Sequence, residues 1–397
     1  MKIKKQNRSG RPSQVGLGIV GCGMRPRGLF RLLAGNDSNP SIQIRALFDP
    51  NADQVTKAKE ELKCPNAIIH ESYENLLKDP SVDWVLISSP NHLHAEQVIR
   101  AFHAGKNVFC EKPLATSFED CLKMEKAWKK SGKEFFFGLC LRYSPLYQRV
   151  AQLLEEGVVG KIVSFEFNET LSFNHGGYIM GNWRSNREKA GTHLLEKCCH
   201  DIDLVQWFTG SVPVRVASFG GLDFFVPKNK KRIHELGVNS EGKSAYMVWD
   251  DPNRQNPFSK EISIVDNQVM IAEFDSGSRC SFHTNCNAAI PERRFYIVGT
   301  HGTLRADLYT GTIEWQKIGF YSSGFSEKID LSGGHGGADE KLIEAFIETL
   351  LKGKAPAAGM KEAKLSAIAC FGIDQAMDRK EVVDLRPLWK KAEVRLS

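Results

Sequence analysis

The chain of 397 residues contains no run approaching the ~18 consecutive apolar residues a membrane span needs. Met1–Gly18 holds no signal-peptide core either, because Lys4, Lys5, Gln6, Asn7 and Arg8 interrupt it. There is no CxxC pair, no metal-finger spacing, no internal repeat and no low-complexity tract, so zinc fingers and solenoids are excluded. The ten cysteines are scattered and read as reduced, buried thiols. No metal site is expected at the vicinal Cys198-Cys199, since adjacent side chains point to different faces of a helix. Charge of one sign is also scarce. Lysine plus arginine number 53 against 47 acids, a net +6, and Met1–Pro12 alone carries five cations and no acid. That end reads as a basic, solvated tail over residues 1–14. Without a basic stripe interleaved with aromatics, nucleic-acid binding is not expected. Hydrophobic residues at 42% and charged residues at 25% are ordinary globular usage and exclude a largely disordered chain. These features predict a soluble, cytoplasmic protein of two or three domains with no membrane partner.

What is present is organised in two rhythms. Strand and helix signals alternate through the first third: strands at Val15–Val20, Ile42–Phe48, Val82–Ser88, Asn107–Cys110 and Glu134–Leu139. Helices are expected from Pro26, at Asp53–Leu62, at His94–His103 and at Phe118–Lys130. This is the pattern of a parallel sheet covered on both faces. After Tyr143 a helix at Gln148–Glu155 leads into strand-like stretches at Ile162–Thr170, Val214–Gly220, Glu261–Val265, Val269–Phe274, Arg279–His283, Arg294–Val298 and Gly311–Gln316. Long strand runs with few helices predict an open, mostly antiparallel sheet in an α+β domain. Asp223–Pro257 is polar and reads as an insertion or flap, and Asp339–Leu351 and Met360–Met377 read as amphipathic helices. The expected division is a dinucleotide-binding unit over 15–140 and a substrate-binding and oligomerisation unit over 141–397, its last helices free to pack back on the first.

Two glycine frames compete at the first turn. Gly16-Leu-Gly18-Ile-Val-Gly21 satisfies GxGxxG but lies inside the strand, whereas Gly21-Cys-Gly23-Met24-Arg25-Pro26 follows the strand and opens the helix. In the second frame Gly21 makes the turn and Gly23 admits a pyrophosphate at the helix N-terminus. Proline is tolerated in a first helical turn, and Gly28 is expected to take over the close helix–strand contact. Asp49 ends the next strand, where a carboxylate reaches a ribose 2′-hydroxyl and repels a 2′-phosphate. NAD is therefore expected over NADP, although Asp49 beside Pro50 also reads as a turn-former.

Two further turns, Ser89-Pro90-Asn91-His92-Leu93-His94 and Glu111-Lys112-Pro113, follow strands of the same sheet and face the same crevice. With these motifs, and with Arg142-Tyr-Ser-Pro145, Gly157…Gly160-Lys161-Ile162 and Val298-Gly-Thr…Gly302-Thr, the sequence resembles the Gfo/Idh/MocA family of glucose–fructose oxidoreductase, inositol dehydrogenase and relatives from about Val15 to Val383. The resemblance implies an N-terminal Rossmann domain and an open-faced C-terminal sheet. It also implies NAD(P)-dependent hydride transfer at a secondary hydroxyl or ketone of a sugar or cyclitol. The family's catalytic lysine falls on Lys112 and its histidine on His200. Glu196 stands where the family has aspartate, and Lys197 adds a cation the common pattern lacks.

The residues agree with that set on their own terms. Glu196 and His200 are one helical turn apart, with Asp203 on the same face. A carboxylate beside an imidazole fixes its tautomer, a histidine suits removal of a hydroxyl proton, and Lys112 at a strand end suits stabilisation of alkoxide charge. Which of Lys112 and His200 takes the proton is left open. Gly21, Gly23, Met24, Arg25, Asp49, Ser89, Pro90, Asn91, His94, Glu111 and Lys112 are expected around the cofactor. Arg142, Tyr178, Trp183, Arg184, Lys112 and His200 are expected around the substrate, while His193 and His92 read equally well as structural, His94 also reads as a capping or packing residue and Arg142 as a structural arginine. Two rival outcomes stand beside the dehydrogenase: an NAD-dependent glycosidase using transient oxidation, and a non-catalytic NAD-binding regulator. An open sheet face would leave apolar surface bare, so a homodimer or homotetramer is expected.

Overall fold

The computed structural model describes residues 14–34, 40–249, 251 and 254–396. Apart from Gln14, the basic segment 1–14 lies outside the described residues. The chain begins with β1 (Val15–Val20), α1 (Met24–Ala34), β2 (Ile42–Phe48), α2 (Ala52–Glu61), β3 (Ile68–Ile69) and α3 (Tyr73–Lys78). It continues with β4 (Trp84–Ile87), α4 (His94–His103), β5 (Asn107–Cys110), α5 (Phe118–Ser131) and β6 (Phe135–Phe137). These six strands pair in the order β3-β2-β1-β4-β5-β6, every pair parallel. Fully buried parallel strands read as apolar runs, and β1 and β4 are buried at every position. Strand order reverses between β1 and β4, which opens a crevice beyond their carboxyl ends.

The second half runs α6 (Pro145–Glu155), β7 (Ile162–Ser172), α7 (Phe173–Met180), α8 (Arg187–Ala190), α9 (His193–Thr209), β8 (Pro213–Gly221) and α10 (Arg232–Glu235). Then follow β9 (Asn267–Phe274), β10 (Arg279–Ala288), β11 (Arg294–Gly299), β12 (Gly302–Asp307), β13 (Thr312–Lys317) and β14 (Gly324–Lys328). The chain closes with α11 (Ala338–Lys352), α12 (Met360–Arg379), β15 (Val383–Asp384) and α13 (Arg386–Lys391). The nine strands pair as β14-β13-β12-β11-β7-β10-β9-β8-β15, with β7 and β10 the parallel exception. Alternation of buried and exposed residues along β9 and β10 places one face on the core and leaves the other open.

Two features tie the halves together. Phe346 on α11 inserts its ring among Trp84, Phe109 and Phe136 at centroid distances of 5.3, 5.1 and 5.0 Å, all edge-on. Lys364 on α12 reaches Glu125 on α5 at 2.8 Å. The expected strand Glu261–Val265 is absent: Ile264 is buried instead in a small separate core with Phe225, Tyr246 and Phe258 that supports the 222–264 insertion. All ten cysteines are buried and unbridged. No helix of the described residues is long and apolar enough to cross a membrane.

Candidate active site

The turns after β1, β2, β4 and β5 are stitched together at one edge of the first sheet. Gly21 N–H donates to Phe48 O at 2.9 Å, Ser88 N–H to Val20 O at 2.8 Å, and Glu111 N–H to Ile87 O at 2.9 Å. Gly21 adopts φ +83°, and a Cβ there would lie 2.7 Å from the Ser89 nitrogen, so only glycine makes this turn. Gly23 opens onto free space, and the first turn of α1 carries no acid to neutralise its positive end. These residues fit a dinucleotide pyrophosphate. Gly28 also faces open space, so the close helix–strand contact expected of it is not made.

Asp49 stands beside the turn as its sequence position suggested. One carboxylate oxygen accepts from Cys22 N–H at 2.7 Å and the other from Asn51 N–H at 2.8 Å. The carboxylate thus braces the glycine turn and keeps lone pairs for a hydroxyl. Met24 is partly exposed at the mouth of the turn. Arg25 departs from the expectation of a cofactor contact. Its guanidinium bridges Glu111 at 2.9 Å and both oxygens of Asp339 at 2.8 and 2.9 Å, tying α1 to the turn after β5 and to α11. His94 departs too: buried at 1% exposure, it bonds Pro113 O at 2.8 Å and Ser89 O at 2.9 Å through its two ring nitrogens. It therefore holds the Ser89-Pro90-Asn91 and Glu111–Pro113 turns in register rather than facing the crevice. Asn91 donates to Ala190 O at 2.8 Å and Ser89 Oγ to Gln97 at 2.5 Å.

The second domain contributes α9, started by Thr192, whose hydroxyl accepts from Leu195 N–H at 3.1 Å, and stopped by Gly210 at φ +61°. Lys112 extends from its turn to this helix, donating to the Glu196 carbonyl at 2.5 Å with the Glu196 carboxylate 3.3 Å away. Arg184 approaches the same carboxylate at 3.1 Å, donates to the Tyr178 hydroxyl at 2.9 Å, and lies 4.4 Å over the Trp183 ring. Burial opposes ionisation of Glu196, but Lys112, Arg184 and Lys197 outweigh it and bring its pKa to about 2. Burial likewise opposes the charged form of Lys112, and the Glu196 carboxylate reverses the balance and raises it. One turn further on, His200 is 5% exposed, and its Nδ1 is buried with no hydrogen-bond partner among the described residues. Burial, with the cations Lys112, Arg293 and Lys197 nearby, pushes His200 well below the ordinary range, so it is a neutral imidazole. Lys197 leans on buried Glu169 at 3.4 Å, which Arg293 reaches at 2.9 Å while holding Asp201 at 2.6 Å.

Lys112, Glu196, Tyr178, Trp183 and Arg184 therefore converge, with His200 one turn of α9 beyond Glu196. Arg142 does not join them: its guanidinium is bidentate to Asp203 at 2.6 and 2.9 Å and stacks over Trp207, an internal tie between α6's approach and α9. His193 is structural, bonded to Thr284 at 3.0 Å, and His92 sits against the Lys189 carbonyl at 3.2 Å. Two residues escaped the sequence reading. His175 and Trp249 pack at 4.8 Å, and both face Tyr178, Trp249 at 4.7 Å. The Asn174-His-Gly-Gly-Tyr178 stretch was the available signal for His175. Among the described residues the ligand atoms of Cys140, His335 and Asp339 lie within 4.8 Å of one another, but Arg25 already supplies the cation at Asp339.

A glycine turn that fits a dinucleotide pyrophosphate at a Rossmann switch point, beside Lys112 of the same domain and facing His200 from a second, open-sheet domain, defines a two-domain nucleotide-binding protein. The chain belongs to the Gfo/Idh/MocA oxidoreductase family: residues 15–139 match its NAD-binding Rossmann fold and residues 151–377 its C-terminal alpha/beta domain. It is 34% identical over 295 residues to 2,7-anhydro-N-acetylneuraminate hydratase of Escherichia coli K12, covering 74% of this chain and 68% of that one. It is 35% identical over 198 residues to inositol 2-dehydrogenase of Gluconacetobacter diazotrophicus, covering 49% and 54% respectively. The fold matches levoglucosan dehydrogenase in complex with NADH and levoglucosan at a TM-score of 0.76 and 18% identity, over 94% of this chain and all of that one (100%).

Proposed function

We propose that this protein binds NAD and moves a hydride between the nicotinamide and a secondary carbinol carbon of a sugar-like substrate. The observation that carries this reading is Lys112, held on Glu196 at the crevice edge, one helical turn from a buried histidine with an unpartnered ring nitrogen. When bound, NAD supplies the hydride acceptor and donor. Lys112 donates to the carbinol or carbonyl oxygen and offsets its developing charge. His200, kept neutral, accepts the hydroxyl proton, directly or through Lys112. Arg184, Tyr178 and Trp183 form the wall that orients the sugar ring. Asp49 favours NAD over NADP, because its carboxylate repels a 2′-phosphate.

The net outcome we favour is redox-neutral: transient oxidation that permits cleavage of a C–O bond and addition of water, followed by re-reduction. Kinship with the anhydro-neuraminate hydratase across three-quarters of the chain supports it. So does charge, since Lys112, Arg184 and Lys197 stand against Glu196 and Glu169, leaving one positive charge for an acidic sugar. Net dehydrogenation of a sugar or cyclitol is the second reading, favoured by the kinship with inositol 2-dehydrogenase. The test is absorbance at 340 nm with NAD and a panel of inositols, sugars and 2,7-anhydro-N-acetylneuraminate, with products followed by NMR. Product without lasting absorbance is expected; steady NADH accumulation with a polyol would establish the second reading instead.

We also propose that a second copy covers the open face of the nine-stranded sheet. Phe219, Ile271 and Val269 stand out there at 67, 61 and 46% exposure around a shallow cavity of about 390 Å³. Light scattering should give a dimer or tetramer, which Ile271→Asp dissociates; a monomeric wild type would overturn this.

A further inference from the structure

We infer that His175 is a second proton-transfer group of this site, acting on the C–H next to the oxidised carbinol carbon rather than on the carbinol oxygen. The role rests on the redox-neutral reading above. His175 rides on α7, which is held rigidly. Ser172 Oγ accepts from the His175 N–H at 3.4 Å, and Asn174 Oδ1 accepts from Tyr246 N–H at 2.8 Å. A Cβ on Gly176 would lie 1.7 Å from Cys286 O and one on Gly177 2.3 Å from Tyr246 O, so α7 is pressed between β10 and the 222–264 insertion. The insertion then lays Trp249 against the imidazole, 4.8 Å between ring centroids. Neither ring nitrogen has a hydrogen-bond partner among the described residues, yet the group is near enough to feel Lys197, Glu196, Lys112 and Arg184. Burial, then Lys197, drives it well below the ordinary range, so it is the free base at neutral pH.

Transient oxidation needs such a group. Once the carbinol carbon is a ketone, the adjacent C–H is acidic. His175 takes that proton, and the C–H electron pair forms the enolate, whose oxygen Lys112 and Arg184 are placed to stabilise. The enolate reforms the carbonyl by expelling the oxygen at the β carbon, which takes a proton from bulk water. Water then adds at the β carbon and gives its surplus proton back to bulk water, while protonated His175, exchanged with solvent in the interval, delivers a proton to the α carbon. The sum is substrate plus water to product, with His175 unchanged and the ketone available for re-reduction. The alcohol proton and the α proton leave different atoms, so Lys112 and His200 serve the first and His175 the second.

The experiment follows 2,7-anhydro-N-acetylneuraminate with holoenzyme in D₂O by two readouts. The first is the single-turnover absorbance rise at 340 nm; the second is deuterium incorporation beside the carbinol, by NMR. His175→Asn and His175→Gln should keep the absorbance rise within about twofold and lower deuterium incorporation and product by about 100-fold. The retained rise also shows that the variants fold and load NAD. Deuterium uptake at the wild-type rate in both variants would overturn the role, as would equal loss of both readouts. A wild type that reduces NAD but incorporates no deuterium would overturn the redox-neutral reading itself, and the role with it.

Discussion

Replacing Glu196 by glutamine keeps the shape of the site and removes the one carboxylate that Lys112 and Arg184 share. With a pKa of about 2 in the folded chain against 4.5 for the ordinary side chain, Glu196 is held ionised by surrounding cations. Its folded pKa is depressed, so the stabilisation is present above pH 4.5 and is lost as pH falls toward 2. Each pKa unit is worth ~1.36 kcal/mol, so the charge contributes about 3 kcal/mol at pH 7 and about 1 kcal/mol at pH 3. Urea melts of wild type and Glu196→Gln should therefore differ by about 3 kcal/mol at pH 7, the gap narrowing to about 1 kcal/mol at pH 3. In the variant, burial of Lys112 is no longer opposed, its pKa falls, and the alkaline limb of the kcat/KM profile moves to lower pH. A gap that stays constant between pH 7 and pH 3, or an unmoved profile, would refute the pairing.

Two other perturbations probe the frame. Asp374, buried on α12 and hydrogen-bonded to Thr192 and Gln268, is pushed by burial to about 7, so it destabilises the fold as pH rises from 4 through 7. Asp374→Asn should gain on the order of 4 kcal/mol at pH 8 and almost nothing at pH 4, read by the same melts. Phe346→Ala should cost about 3–5 kcal/mol by removing the ring that docks α11 on the first sheet, and it should lower the melting temperature while leaving the Lys112–Glu196 contact intact.

The Rossmann half was legible because buried parallel strands announce themselves as apolar runs closed by turn residues, as Val15–Val20 before Gly21 does. The helix carrying Glu196 and His200 was legible from the family resemblance and their one-turn spacing, while its cap at Thr192 and its stop at Gly210 emerge with the structure. Other features were hidden for definable reasons. β14 is a polar edge strand of Gly-Phe-Ser-Glu-Lys with no apolar period, so only pairing with β13 reveals it. Ile262 and Ile264 alternate as a strand would, yet they fill the insertion's own core. α7 carries Gly176-Gly177, which reads as a break until the close approach of Cys286 and Tyr246 is seen. Arg25, His94 and Arg142 occupy promising positions in sequence, but each is spent on an internal partner that no spacing foretells.

The most direct measurement compares wild type with Lys112→Met on 2,7-anhydro-N-acetylneuraminate and NAD, recording product by NMR alongside absorbance at 340 nm. The account predicts water-addition product with no lasting rise in absorbance for wild type, and a fall of about 10²–10⁴-fold in turnover for the variant. Unchanged turnover in Lys112→Met would contradict it.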